Sequence, residues 1–578
     1  MSQQISKVLG TRAEVQSDAG VVSAGNEPAV RAGLTALEAG GNAIDAIVAG
    51  AFAAFVAEPN NASIGGYGHL SVYQASAGGG SFFAVDHGPR APAAARADMY
   101  DVLDGPLDGH DWPSVAGDRN YVGGSAVAVP GAVPGLWAAH QRAGRLPWAR
   151  LLEPAIALAR AGVEVTWVLQ IEIANRLPEI VEHPALAAIL LPEGRVPRSR
   201  TADGPGERID QRALARTLEA IAARGPDALH RGETADAIVR AIAGDGGIVT
   251  AEDLAAYVPV VLDEPAAGYR DLRYITCRDT VGYETLGILE HFDLAGAGAG
   301  SAAALHLLAE ATGHAFADAA SYADDPDLAA EPIAELGGAE FAAARAAAIS
   351  PERAVPRPIA ATAPWLSAGD AARPRSAGGV HGTTQVVAAD RDGNLAALIT
   401  TIGADFGSLV AVPEAGIILN NSMVNYDPRP GRSNSIAPHK MPFFAVPAIV
   451  AARDGRAAFA AAGAGGYAIL AAVIAAMVGY ADHGLGPQAA IDVPRVHSQG
   501  NRTFVDSRAG PEAIAGLRAR GHDVVVQDVA PGELPFGRVS AVAVARGDGD
   551  DRAGGGDRDR PRLSAGAGPG WNTAAGGL

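Results

Sequence analysis

The segment "TTQVVAADRDGNLAALITT", Thr383 to Thr401, constrains this chain more than any other. Two strand-like runs, Thr383 to Ala389 and Leu395 to Thr401, flank "DRDGN", whose Asp-Gly step is a hairpin signal. A three-residue loop of Arg391, Asp392 and Gly393, with the glycine in the left-handed region, sets Thr383 opposite Thr401. A two-residue loop slips the register by one and sets Thr384 there instead. Directly opposed side chains share a face with Cβ atoms about 4.5–5.5 Å apart, so one hydroxyl can bond or orient the other. Threonine is also simply a good strand residue, and such pairs are common. The preceding Gly382 adds an unhindered carbonyl and a backbone free to take strained geometry. A threonine hydroxyl is a weak nucleophile without a base beside it, and a free amine on the same residue is such a base. That amine exists only if the chain is cut between Gly382 and Thr383.

The rest of the chain narrows the partners. Its 578 residues, 48% apolar, suffice for two ordinary domains or one large one. A formal charge of −19 argues against a nucleic-acid groove or an anionic membrane surface. The single cysteine, Cys277, excludes an intramolecular disulfide and a cysteine-rich zinc site, fits a reducing compartment, and reads as a buried small hydrophobe. "MSQQISKVLGTRAEVQSDAG" has no apolar run after a basic start, so a cytoplasmic protein is expected. The uncharged stretch Ala457 to Ala481 is long enough to span a bilayer, but its Ala and Gly content and glycine-rich centre predict a buried strand, turn and helix.

Along the chain, Ala29 to Phe55 reads as two Ala-rich helices broken at Gly40-Gly41-Asn42, and "HLSVYQASAGGGSFFAVDHG" as two strands around a glycine turn. Residues 150 to 350 read as largely helical, and the part beyond Gly378 as short strands between Asp-Gly turns. The segment after about residue 545 is poor in apolar residues and is expected to be a mobile tail. "SIGGYGH" lacks the Lys-Ser/Thr of a phosphate loop. No histidine pair stands at ligand spacing with a carboxylate, so neither metal nor cofactor is expected.

Five segments, "GGNAIDAIVAGAFAAFVAEPNNASIGGYGH", "GGSAVAVPGAVPGL", "TTQVVAADRDGNLAALITT", "GIILNNSM" and "GAGG", together resemble the gamma-glutamyltransferases of the N-terminal-nucleophile (Ntn) hydrolase superfamily, in the family's order, over roughly Val15 to Val544. The resemblance implies an α/β fold, the αββα four-layer sandwich, formed by two chains of one self-cleaved precursor. Residues 1–382 would be the large subunit and 383–578 the small one, remaining associated and acting on a small-molecule amide. By the same resemblance Thr383 is the nucleophile, Thr401 supports it, and the backbone N–H groups of Gly465 and Gly466 form the oxyanion hole. Tyr467, Ser422, Asn425, His87 and Arg90 fall in the substrate-binding set, and His69 and Tyr67 near it.

The chain departs from the family where a glutamyl group would be held. In "DHGPRAP" the usual arginine position is Gly88, with Arg90 two residues on; the carboxylate for the substrate ammonium falls on Asn425, a glutamine on Ser422, a serine pair near Phe444 and Ala445, and a supporting asparagine on Gly403. Losing the anion and cation clamps together points to an acyl group that is not an α-amino acid, as in oxamate amidohydrolases or acylases for dicarboxylic cephalosporin side chains. The alternatives are a true gamma-glutamyltransferase with a rewired clamp, and a catalytically silent binding or scaffold relative.

Overall fold

The computed structural model describes residues 13–107, 112–201, 204–263, 266–328, 333–357, 359, 382–443, 445–499, 502–528, 535–545, 562–567 and 573–578. Fourteen strands build its two large sheets: β1 (Val15–Ser17), β2 (Gly20–Ala24), β3 (Tyr67–Gln74), β4 (Ser81–His87), β5 (Val260–Leu262), β6 (Ala267–Tyr269), β7 (Leu272–Thr276), β8 (Gly382–Asp390), β9 (Leu395–Gly403), β10 (Ala448–Arg453), β11 (Arg456–Ala464), β12 (Arg538–Val544), β13 (Leu563–Ala567) and β14 (Ala574–Gly577). One sheet runs β14-β2-β8-β9-β3-β4-β5 and the other β1-β13-β12-β11-β10-β7-β6. The helices that matter here are α1 (Glu27–Glu38), α2 (Ala43–Ala57), α3 (Ala132–Ala143), α4 (Thr280–Leu289), α5 (Ala302–Tyr322) and α6 (Ala468–Ala481).

Alternation along the central strands decides the layering. Val386, Ala388, Ala396 and Leu398 pack outward with the apolar residues of α1 and α2, whereas Val387, Ala389, Ala397 and Ile399 face inward with Val450, Ala460 and Val542 of the second sheet. Helices α4, α5 and α6 cover the far side of that sheet. The result is four layers, helix, sheet, sheet, helix. Helices α2 and α6 are apolar on nearly every side because each is buried within its layer. Asn42 starts α2 in a reciprocal capping box with Asp45, and Asn26 caps α1 through Ala29 N–H at 2.8 Å.

The stretch 457–481 is the strand, glycine turn and helix expected, and no helix among the described residues is long and apolar enough to cross a membrane. Cys277 is buried. The stretch 150–350 is mostly helical but also holds β5, β6 and β7, strands too short for their pattern to stand out. The expected mobile tail is corrected in part. Residues 563–567 pair with both β12 and β1, and 574–577 with β2; their small side chains suit close packing, not solvent. Residues 546–561 lie outside the described residues.

Candidate active site

The hairpin takes the three-residue loop, with Gly393 at φ +85°, and every pair from Thr383↔Thr401 to Ala389↔Leu395 keeps the corresponding register. Thr383 and Thr401 therefore share the inward face, both under a tenth exposed, at 6% and 7%. Their Oγ1 atoms are 3.0 Å apart. Thr401 Oγ1 accepts from Gly403 N–H at 2.9 Å and donates to the Gly382 carbonyl. Because the one Thr401 hydroxyl proton is directed at Gly382, the proton between the two threonines belongs to Thr383. The chain of donors is Thr383 to Thr401 to the Gly382 carbonyl, across the bond that joins residues 382 and 383.

An asparagine at position 403, where the resemblance puts one, would have to displace Asn421. Gly403 sits at φ +93°, and an added Cβ would lie 2.0 Å from Asn421 Oδ1. That oxygen instead accepts Ala404 N–H at 2.9 Å, while Asn421 Nδ2 donates to Tyr121 at 3.0 Å.

Strand β3 continues the row, since Tyr67 is opposite Thr401. The turn Ser422–Asn425 stands over it: Asn425 Nδ2 donates to Tyr67 Oη and Ser422 Oγ, each at 3.1 Å. Burial raises the Tyr67 phenol pKa, opposed by its bonds to Ser422 and Asn425. Register puts His87 opposite Gly68, and hence Gly88 beside Tyr67 at the end of the row.

Gly465 and Gly466 form the turn between β11 and α6, at φ +131° and +59°. Only glycine takes the first conformation comfortably, and a Cβ there would meet Gly537 Cα at 2.6 Å. The residue after Gly537 ties this turn to Thr383: Arg538, paired with Ala464, donates to the Thr383 carbonyl at 2.9 Å. Tyr467 follows as the α6 N-cap residue, its ring edge-on to Phe316 at 5.9 Å.

Three of the anticipated neighbours are placed differently. His87 is on the outward face, its ring under Gly135 of α3, and burial followed by the nearby His69 lowers its pKa to about 3. It is a neutral core histidine turned away from the threonines. His69 is inward but holds the Val446 carbonyl at 2.6 Å, with its pKa lowered by burial to about 4. Arg90 already meets Asp325 at 3.1 Å and Asp327 at 3.7 Å. Phe444 lies outside the described residues, and Ala445 is a buried core residue.

Arg538 and Glu58 were not foreseen. Glu58 Oε1 is 3.6 Å from Arg538 Nη1, both side chains being almost completely buried. The loop after α2 also holds the hairpin: Asn61 O accepts Ile402 N–H at 3.3 Å and Asn60 O accepts Phe406 N–H at 3.0 Å. Burial, then the Asp405 charge, push the nearby Glu172 carboxyl well above the carboxylate range, and burial pushes Asp405 up to about 6. A lone arginine heading the apolar strand "RVSAVAV" and a glutamate closing an apolar helix were the available signals.

The expectation of no histidine–carboxylate grouping is corrected away from this site. His306, Glu310 and His522 converge because α5 spaces the first two by one turn and the fold brings in the third. The facing ring nitrogens are 2.7 Å apart, whereas tetrahedral zinc with bonds near 2.0–2.1 Å holds two nitrogens roughly 3.3 Å apart. The other nitrogens face Ser350 O at 2.7 Å and Thr503 Oγ1 at 3.0 Å, and Glu310 pairs with Arg357 at 2.9 Å. The spacing is that of a buried hydrogen-bonded network.

A four-layer sandwich with a threonine hydroxyl at the start of a central strand, on the inward face, is the arrangement of an Ntn hydrolase. The chain matches the gamma-glutamyltranspeptidase family over residues 29–567 and belongs to it. It is 37% identical to the acylase ACY 1 proenzyme of Pseudomonas sp. (strain SE83) over 544 residues, 92% of either chain. It is 30% identical to the glutathione hydrolase proenzyme of Escherichia coli (strain K12) over 536 residues, 89% of this chain and 87% of the relative. Among solved structures, cephalosporin acylase from Bacillus halodurans superposes with a TM-score of 0.82 at 26% identity, covering 100% of this chain and 99% of that one. The chain is therefore an amidohydrolase or acyltransferase of this family.

Proposed function

We propose that the chain cuts itself between Gly382 and Thr383 and then cleaves a small amide whose acyl group is not an α-amino acid. The observation that carries the reading is the directed chain from Thr383 through Thr401 to the Gly382 carbonyl. In maturation Thr383 Oγ1 bonds to the Gly382 carbonyl carbon while its proton leaves through Thr401, which meanwhile donates to the oxygen that gains charge. The Gly382–Thr383 C–N bond breaks as the nitrogen takes a proton. Water then hydrolyses the ester, giving the Gly382 carboxylate and a free Thr383 amine and hydroxyl.

In catalysis that amine takes the Thr383 proton as Oγ1 attacks the substrate carbonyl. Gly465 and Gly466 donate to the oxyanion, the Thr383 ammonium gives its proton to the substrate nitrogen as the C–N bond breaks, and water releases the acyl group. Preorganised donors of this kind contribute about 3–4 kcal/mol each. Both sequence relatives bear proenzyme names, in accord with a precursor. The two chains stay together because large-subunit strands flank small-subunit ones within each sheet: β2 pairs β8, β3 pairs β9, and β7 pairs β10.

The acyl specificity rests on the clamp positions. Gly88 and Asn425 offer neither the cation nor the anion of a glutamyl clamp, and Arg90 is met by two aspartates. A zwitterionic donor would leave unpaired charge in a buried site, which is costly. The test is the intact mass of the small chain after mixing with acyl anilides. An acyl adduct on Thr383 from uncharged donors, and none from a gamma-glutamyl donor, supports the reading; preferential gamma-glutamylation overturns it and favours the rewired transferase.

A further inference from the structure

The inward row Thr383, Thr401, Tyr67 and Gly88 crosses three strand spacings, about 14 Å. Thr383 stands at one end, and at the other the segment 439–441 runs beside 88–91, with Ala91 N–H on Lys440 O at 2.9 Å and His439 N–H on Ala91 O at 3.1 Å. Met441 is thereby laid on Gly88: a Cβ at position 88 would lie 2.6 Å from Met441 Sδ and 3.1 Å from its Cγ. The Met441 backbone is pinned by its N–H to Asp325 Oδ2 at 2.8 Å, and the side chain is 6% exposed.

The three cations at this end are each paired already. Arg90 meets Asp325 and Asp327, Arg278 meets Asp327 at 2.9 Å and Asp86 at 3.7 Å, and Lys440 meets Asp324 at 2.5 Å. A carboxylate arriving there would have to compete with aspartates already bonded to each of these cations, and an ammonium would meet an amide at Asn425. What the row offers a distal substituent is the thioether of Met441.

We infer that Met441 is a specificity-determining residue, closing the far end of the acyl pocket and selecting a linear, uncharged acyl chain with an apolar end. The inference rests on the self-processing amidohydrolase reading above and deepens it. The hydroxyl row near Thr383 serves the carbonyl end, while contact with Met441 measures chain length. Truncating the side chain at Cβ opens room for about two further methylenes, and each methylene gained or lost in an apolar pocket changes kcat/KM roughly 10–200-fold.

The experiment uses the full-length protein as purified, with Met441→Ala and Met441→Leu beside it, and p-nitroanilides of butyric, hexanoic and octanoic acids, of glutaric acid as the monoanilide, and of gamma-glutamate. The wild type should favour an uncharged chain at least ten-fold over both charged donors. Met441→Ala should move the optimum to a longer chain and cut kcat/KM for the former optimum roughly 10–100-fold, whereas Met441→Leu should keep the wild-type order. If Met441→Ala is not processed, Met441→Val replaces it and the same direction of shift is required. A processed enzyme that acylates Thr383 but shows the same length profile in the truncated variant, or that prefers glutaryl, overturns this inference alone; one that prefers gamma-glutamyl overturns the acyl-group reading above as well. A chain that stays uncut, or whose Thr383 takes no acyl mass, overturns the catalytic reading and this inference with it.

Discussion

Replacing Thr401 by valine keeps the side-chain shape and removes one oxygen with three partners: Thr383 Oγ1 at 3.0 Å, Gly403 N–H at 2.9 Å and the Gly382 carbonyl. Two backbone groups lose a buried partner, at about 1–3 kcal/mol each in stability. The kinetic loss should be larger. A donor to developing negative charge is worth about 10²–10³ in rate, and a positioned proton acceptor about 10²–10⁴. Both functions sit on one atom and do not add, so maturation should slow by roughly 10²–10⁴-fold. The assay is a time course of denaturing intact mass, with thermal unfolding measured in parallel to show that the variant is folded. Thr401→Ser, which keeps the oxygen, should mature within about ten-fold of the wild type. A folded Thr401→Val protein that matures as fast as the serine variant would refute the proton route drawn here.

Further outcomes follow from other parts of the structure. Asn425→Asp with Gly88→Arg supplies both missing charges, but the arginine meets Met441 Sδ at its first carbon; gamma-glutamyl anilide activity should therefore rise at least ten-fold more when Met441→Ala is added, roughly the value of one well-fitted group. Gly465→Ala forces φ +131° on a residue with a Cβ against Gly537 and should cost about 1–3 kcal/mol or more in stability, read as a lower midpoint in calorimetry together with reduced acylation. Burial raises the Asp279 carboxyl to about 7 even though it accepts Gly282 N–H, so the folded state holds a proton that the unfolded chain releases. Stability should then fall as pH rises from about 4 to 7. Asp279→Asn, neutral and still able to cap, should unfold at a higher temperature than wild type at pH 8 and at a similar one at pH 4; an equal difference at both would contradict that assignment.

What was legible in the chain was what is local. Loop length and glycine placement narrowed the hairpin to two registers, one of which pairs Thr383 with Thr401 as the structure does. The turn at Gly465 and Gly466 was equally local. His87 shows a limit that period-two counting could have lifted: its neighbours Asp86 and Gly88 face inward, so His87 had to face the helices. Arg90 is met by aspartates more than two hundred residues away, which no pattern around "DHGPRAP" reveals. Arg538, Glu58 and Met441 reach the site only through the packing of one sheet on the other and of a late loop on an early strand. The strand at 563–567 was hidden because small residues look like linker until an open sheet edge is there to receive them.

The most direct test of the central claim is denaturing intact mass of the purified protein beside Thr383→Ala. The wild type should give two chains, meeting at Gly382 and Thr383, and the variant one uncut chain. A single chain in both after long incubation, or a cut in the variant at the same bond, would contradict it.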